Sequence, residues 1–166
     1  MISPEIVEKT WLRIGALGPA EIQRELHYVH EKQPHLLEFV VTQSSELSKE
    51  AEELALYLFI VVHQMFDVGA KNKPKPIRSK EISDQIDVTF DLLESLDGCH
   101  DRFFERIAGL QTTNQPNVYQ YILEAMFEEP ENGEEKVNLS EQDAGGLFIL
   151  LKTAIDALDK KSEFTT

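Results

Sequence analysis

Nine consecutive apolar residues, Leu54 to Val62 (Leu, Ala, Leu, Tyr, Leu, Phe, Ile, Val, Val), constrain this chain more than any other stretch. They sit inside Ser48 to Gly69, which reads as one helix of about six turns at ~3.6 residues per turn. Ser48 supplies an N-cap, and Glu50, Glu52 and Glu53 place negative charge at the positive end of the helix dipole. Gly69 is expected to end the helix in the left-handed conformation. An unbroken apolar run covers every side of a helix, so this helix must be buried on most sides. The apolar run itself is too short to cross a bilayer, which needs about 20 apolar residues. A chain of 166 residues suits one domain around such a core helix.

The flanking segments also read as helices. Ser3-Pro4-Glu5 opens the first, with Ile6, Val7, Trp11 and Ile14 on one face and Gly15 and Gly18 at its end. Pro19 starts a second with the narrow stripe Ile22, Leu26 and Val29. Pro34 starts a third, with Leu36, Leu37, Phe39, Val40 and Val41, closed by Ser44-Ser45. After the central helix, residues 71–80 (KNKPKPIRSK) carry five basic residues, two prolines and no acid, and 71–78 reads as a solvated basic linker. Ser79 is the expected cap of a helical period running through Ile82, Ile86, Phe90, Leu93, Leu96, Phe103, Ile107 and Leu110. Gly98 leaves open whether this is one bent helix or, as we favour, two. Pro116 starts a helix carrying Val118, Tyr121, Ile122, Ala125 and Met126. Residues 128–138 form an acidic loop, in which Glu129 to Asn138 is expected to be the most mobile internal segment, and Ser140 with Asp143 begins a last helix ending near Lys160. Nothing alternates with period two, so the expected fold is all-α.

The chain also matches itself. Gln33-Pro34-His35-Leu36-Leu37-Glu38-Phe39-Val40-Val41 agrees in kind with Gln115-Pro116-Asn117-Val118-Tyr119-Gln120-Tyr121-Ile122-Leu123. Leu58-Phe59-Ile60-Val61-Val62 agrees with Leu147-Phe148-Ile149-Leu150-Leu151, and Ser3-Pro4-Glu5-Ile6 more weakly with Ser79-Lys80-Glu81-Ile82. The expectation is a single-domain helical bundle of two pseudo-symmetric half-units, 3–69 and 79–160. Each has one fully buried central helix, and the two pack on each other. Gly145-Gly146 would let backbones approach closely there. A short solenoid of stacked halves is the alternative.

Composition narrows function mainly by exclusion. With 30 acidic and 16 basic residues, a net charge of −14 disfavours nucleic acid and anionic membrane as ligands. The single cysteine, Cys99, allows no internal disulfide and suits a reducing compartment. The N-terminal residues MISPEIVEKT lack the basic-then-apolar pattern of a signal peptide, so the expected location is cytoplasmic.

Candidate chemistry is sparse. His27, His30 and Glu31 stand at helical spacing, and His27 with Glu31 forms an i, i+4 pair that could begin a metal site. The apolar stripe of that helix points elsewhere, and no second pair completes a ligand set. His63 and Asp67, also i and i+4, lie near the end of the buried helix, where the helix terminus and the aspartate both favour a charged histidine. The favoured expectation is a polar pair that ends the apolar run and reaches water, with an acid–base role for His63 and Asp67 as the alternative. Cys99-His100-Asp101 has the residue types of a cysteine nucleophile, but adjacent side chains diverge. There is no glycine-rich phosphate loop, G-x-S-x-G or H-E-x-x-H. No cofactor is expected. The leading expectation is a non-enzymatic protein-interaction or binding module, whose partner is another protein or a second copy in a homodimer. A helical-bundle enzyme using His63/Asp67 or His27/His30/Glu31 is the runner-up, and an acidic mimic of nucleic acid a third class.

Overall fold

The computed structural model describes residues 1–95, 114–127 and 139–164, with backbone alone for 93–95. Within them lie helices α1 (Pro4–Gly15), α2 (Pro19–Lys32), α3 (Pro34–Ser44), α4 (Lys49–Gly69), α5 (Ser79–Ser95), α6 (Pro116–Phe127) and α7 (Glu141–Lys160), and no strand. Gly98, the Cys99-His100-Asp101 triplet and the 128–138 loop lie outside the described residues.

Caps set the helix starts. The Ser3, Ser48 and Ser140 hydroxyls accept from the backbone N–H of Ile6, Ala51 and Asp143 at 3.3, 3.2 and 3.1 Å, each satisfying a donor that the helix itself cannot. Ser79 is not a cap: the Arg78 carbonyl already accepts from Ile82 N–H, so α5 begins one residue earlier than the pattern suggests.

The central helix is buried all round from Leu58 to Phe66, without a break. This buried stretch lies toward the C-terminal end of the apolar run, since Leu54, Leu56 and Tyr57 are only partly covered. The C-terminal half of α4 is where other elements converge: Arg13 of α1 on Gln64, Tyr28 of α2 on Asp67, and Phe164 of the tail on Phe66. α4 and α7 pack on each other, and α7 buries Leu147, Phe148, Leu150, Leu151 and Ile155.

Two glycines act through size. Gly69 has no left-handed backbone; the helix ends with Ala70 extended, at φ −82° and ψ 146°. A Cβ on Gly69 would lie 3.0 Å from Ile2 Cγ1, so the missing side chain makes room for buried Ile2. A Cβ on Gly146 would lie 2.8 Å from Leu47 Cδ2, so the space there is filled by a side chain from the α3–α4 turn and not by another backbone.

Three other expectations change. The basic segment 71–78 is extended but tied down. Lys71 N–H donates to the Glu163 carbonyl at 2.7 Å and Lys75 N–H to Lys161 at 3.3 Å, with an isolated antiparallel bridge between Asn72 and Glu163. Ile77 at its end is buried. The inward face of α5 is partly polar. Ile82, Gln85 and Thr89 are buried while Phe90 and Val88 are about half exposed, and Thr89 Oγ1 lies 3.3 Å from Thr153 Oγ1 of α7. Trp11, grouped by periodicity with Val7 and Ile14, is 40% exposed.

The two glutamines that precede Pro34 and Pro116 are fully buried and do similar work. Gln33 Oε1 accepts from Ile77 N–H at 3.0 Å, at the entrance to α5. Gln115 Oε1 accepts from Ile2 N–H at 2.9 Å, at the entrance to α1, and Asn117 Nδ2 donates to the Ile2 carbonyl at 2.9 Å. Each side-chain amide thus satisfies an extended backbone that would otherwise carry an unpaired buried N–H.

Because Phe59 is fully enclosed, Phe59→Ala should cost about 3–5 kcal/mol in urea unfolding, the range for truncating a buried aromatic. A change within about 0.5 kcal/mol, as at an ordinary surface site, would contradict the central position of α4.

Candidate functional site

The polar chemistry of the molecule gathers at the C-terminal ends of its two buried helices. In α4 the aspartate nine positions after Leu58 is Asp67, and in α7 the aspartate nine positions after Leu147 is Asp156. Each carboxylate holds one tyrosine hydroxyl and one lysine ammonium.

At Asp67, Tyr28 OH donates to Oδ2 at 2.9 Å, and Lys73 Nζ donates to the same oxygen at 2.8 Å and to the Tyr28 hydroxyl oxygen at 3.1 Å. Lys32 and Lys73 each lie 5.7 Å from the centre of the Tyr28 ring. The bonds to Asp67 and then Tyr28 hold the Lys73 ammonium well above the usual lysine range. Burial raises the Tyr28 hydroxyl, against the pull of Lys73.

At Asp156, Tyr119 OH donates to Oδ1 at 2.7 Å and Lys152 Nζ to Oδ2 at 2.7 Å. Lys152 Nζ also stands 3.4 Å from Tyr119 OH and 5.2 Å from its ring centre. Burial, followed by the Asp156 charge, pushes Tyr119 far above the ordinary tyrosine value. Lys152 is a buried lysine, paired with Asp156 four residues along the helix. Such a pair contributes little net stability over an apolar replacement, but leaving one member unpaired is costly.

His63 departs from the sequence expectation on both counts. It is 1% exposed, so it does not reach water, and Asp67 is engaged by Tyr28 and Lys73. The imidazole packs edge-on to Tyr28, with ring centroids 6.0 Å apart, and against Phe59 at 6.4 Å. Its Nδ1 is buried without a hydrogen-bond partner. Burial lowers the imidazole from 6.5 to about 4; Asp67 opposes this and Lys73 adds to it. Desolvation outweighs the helix terminus and the aspartate, so the folded chain holds a neutral ring.

The other candidates stay apart. His27 Nε2 and Glu31 Oε1 pair at 3.1 Å with both side chains more than half exposed, and His30 is exposed beside them. Among the described residues no three His, Cys, Asp or Glu converge to hold an ion. Tyr28, Lys73, Tyr119, Lys152 and Asp156 were not singled out by sequence. The equal Leu-to-Asp spacing was a readable signal for Asp156, while the tyrosines arrive from other helices.

Besides a groove of about 310 Å³ between α5 and the end of α7, where Glu81 and Asp84 face Lys160 and Lys161, two surface grooves stand in corresponding places. One, of about 240 Å³, runs between α1 (Pro4, Val7, Glu8, Trp11) and α6 (Asn117, Gln120, Tyr121, Glu124). The other, of about 270 Å³, runs between α5 (Ser79, Ile82, Ser83, Ile86) and α3 (His35, Glu38, Phe39, Thr42, Gln43).

Fold and site together define an all-α helical bundle whose buried polar groups are largely spent on one another. No described helix is long and apolar enough to cross a membrane. Compared with known proteins, the chain matches no family model, no curated protein and no solved structure.

Two outcomes follow. The unfolded chain protonates His63 near 6.5 and the folded chain only near 4, so the unfolded state takes up the proton first as pH falls. This contribution is fully present above pH ~6.5 and is lost toward pH ~4, about 3 kcal/mol in all. Urea unfolding at pH 7, 5.5 and 4.5 should show His63→Leu with a flatter profile than the parent; parallel profiles would contradict it. His27→Ala with Glu31→Ala should shift stability by no more than about 0.5 kcal/mol, and a thermal melt displaced beyond that would place the pair in the core.

Proposed function

We propose that this chain is a cytoplasmic protein-interaction module, a bundle of two related halves that acts through its surface. The observation that carries the reading is the state of the buried polar groups. Asp67 and Asp156 are each engaged by a tyrosine and a lysine. A tyrosine acid at neutral pH needs its hydroxyl lowered toward 7, whereas Tyr28 and Tyr119 are both raised. These clusters knit helices together, leaving the outer surface for recognition.

Several matched features support the two related halves. Gln33 holds the entrance to α5 and Gln115 the entrance to α1 through Ile77 and Ile2. In the two grooves, Ser79, Ile82, Ser83 and Ile86 each stand 75 positions after Pro4, Val7, Glu8 and Trp11. Asn117, Gln120, Tyr121 and Glu124 each stand 82 positions after His35, Glu38, Phe39 and Thr42. The same offset of 75 relates Ile2 to Ile77, one residue away from the register of the Ser3 and Ser79 echo. Exchanging α1 with α5, α3 with α6 and α4 with α7 also carries contacting pairs into contacting pairs: α1–α4 into α5–α7, α1–α6 into α5–α3, and α4–α6 into α7–α3. The exchange is imperfect, because α3 lies along α4 while α6 meets α7 chiefly through Tyr119. On this reading the halves are interlocked, each glutamine clamping the first helix of the other half.

A second reading, a helical-bundle enzyme using His63, draws on the unpartnered Nδ1 beside Tyr28. The two readings separate on one preparation. Chain purified from its native source at its natural level should sediment as an assembly with another protein, and His63→Leu should leave that assembly intact. A native species at the monomer mass of 19.0 kDa, or a turnover abolished by His63→Leu in a folded chain, would overturn the module reading.

The interlocked halves predict crossed effects in amide exchange. Gln33→Ala should speed exchange at 77–82, and Gln115→Ala at 2–7, as the clamped N–H loses its acceptor. Faster exchange confined to α3 and α6 themselves would contradict the crossing.

A further inference from the structure

We infer that the groove between α1 and α6 is a recognition site for an arginine-bearing basic segment of a partner protein; this rests on the interaction-module reading. The groove combines an exposed indole, Trp11, with Tyr121 and two carboxylates, Glu8 and Glu124, and no lysine or arginine lines it. Gln120 Nε2 donates to Glu124 Oε1 at 2.8 Å, which orients the carboxylate without cancelling its charge. A guanidinium suits this arrangement. It is planar and weakly hydrated, stacks on an indole face and offers several N–H donors to carboxylates.

The α3–α5 groove provides an internal comparison. Where the first groove has Trp11 and Tyr121, the second has Ile86 and Phe39; where the first has Glu8 and Glu124, the second has Ser83 and Thr42. The second keeps one carboxylate, Glu38, opposite Gln120 in the matched register. Two grooves of similar size and placement therefore differ in the features that favour a cation. The net charge of −14 disfavours a second copy of this chain and favours a basic partner.

Trp11 is the single tryptophan, so its emission reports on this groove alone. The test titrates the full chain with a fluorophore-labelled Gly-Ser peptide carrying three arginines, following both Trp11 emission and peptide anisotropy. Glutamate and lysine versions of the peptide, and argininamide alone, are the comparisons. The arginine peptide should bind, alter Trp11 emission and weaken as salt is raised; the lysine peptide should bind less tightly and the glutamate peptide not at all. By anisotropy, Trp11→Leu and the double change Glu8→Gln with Glu124→Gln should each weaken binding roughly fivefold or more. Glu38→Gln in the other groove should leave it unchanged. All these side chains are at the surface, and matching thermal melts establish that the variants fold. Unchanged Trp11 emission, or equal affinity in the double variant, would overturn the site. Argininamide saturating at the same concentration as the peptide would overturn a peptide ligand in favour of a small cation. A native assembly that persists while the arginine peptide fails to bind would sink this inference and leave the module reading standing.

Discussion

The packing of α4 against α7 is the constraint on which the other elements depend. From Leu58 to Phe66 no face of α4 meets water, so neighbours must come from every direction, and α1, α2, α3, α6 and α7 all contact it. At roughly 1.5–3 kcal/mol for each large apolar side chain buried, this is the dominant favourable term available to the chain. The shorter helices are arranged as a wall around the pair. Size at single positions decides how closely the wall fits, as with Gly69 under Ile2 and Gly146 under Leu47.

Enclosing two helices this way brings polar backbone and side chains inside with them, and the chain satisfies these groups locally. Gln33 and Gln115 reach backbone that enters the core in extended form. Tyr28 with Lys73, and Tyr119 with Lys152, neutralise the aspartates at the ends of the apolar runs. Among the described residues His63 and Gln85 are exceptions: His63 Nδ1 and Gln85 Oε1 stay unpartnered, and the His63 ring avoids charge. The polar interior is thus mostly cement, and this shifts the weight of a functional reading from the core to the surface. There the α1–α6 and α3–α5 grooves are similar in placement and different in lining.

Much of this was legible in the chain, and the limit has a physical cause. Helix starts and ends, the all-α class and the enclosure of the central helix follow from local rules, since caps, prolines and an unbroken apolar run act within a turn or two of themselves. The recurrence of Gln-Pro and Leu-Phe-Ile could be read too, although the buried role of the glutamines could not, because their partners Ile77 and Ile2 are 44 and 113 positions away. Periodicity misplaced Trp11 and Phe90 because it finds a helix's apolar face without saying how far neighbours cover its edges.

The sequence by itself therefore determined which of the described segments are helical, that one must lie inside, and that the chain is strongly acidic. Only the tertiary structure decided which polar residues meet. Asp67 takes Tyr28 from another helix and Lys73 from an extended segment that sequence alone reads as a solvated linker. His63, drawn toward charge by Asp67, is held neutral because desolvation in a closed core outweighs one carboxylate already shared with other donors. Charge state and pairing depend on the whole surrounding volume, which is assembled from residues far apart in the chain, and no window along the sequence contains it.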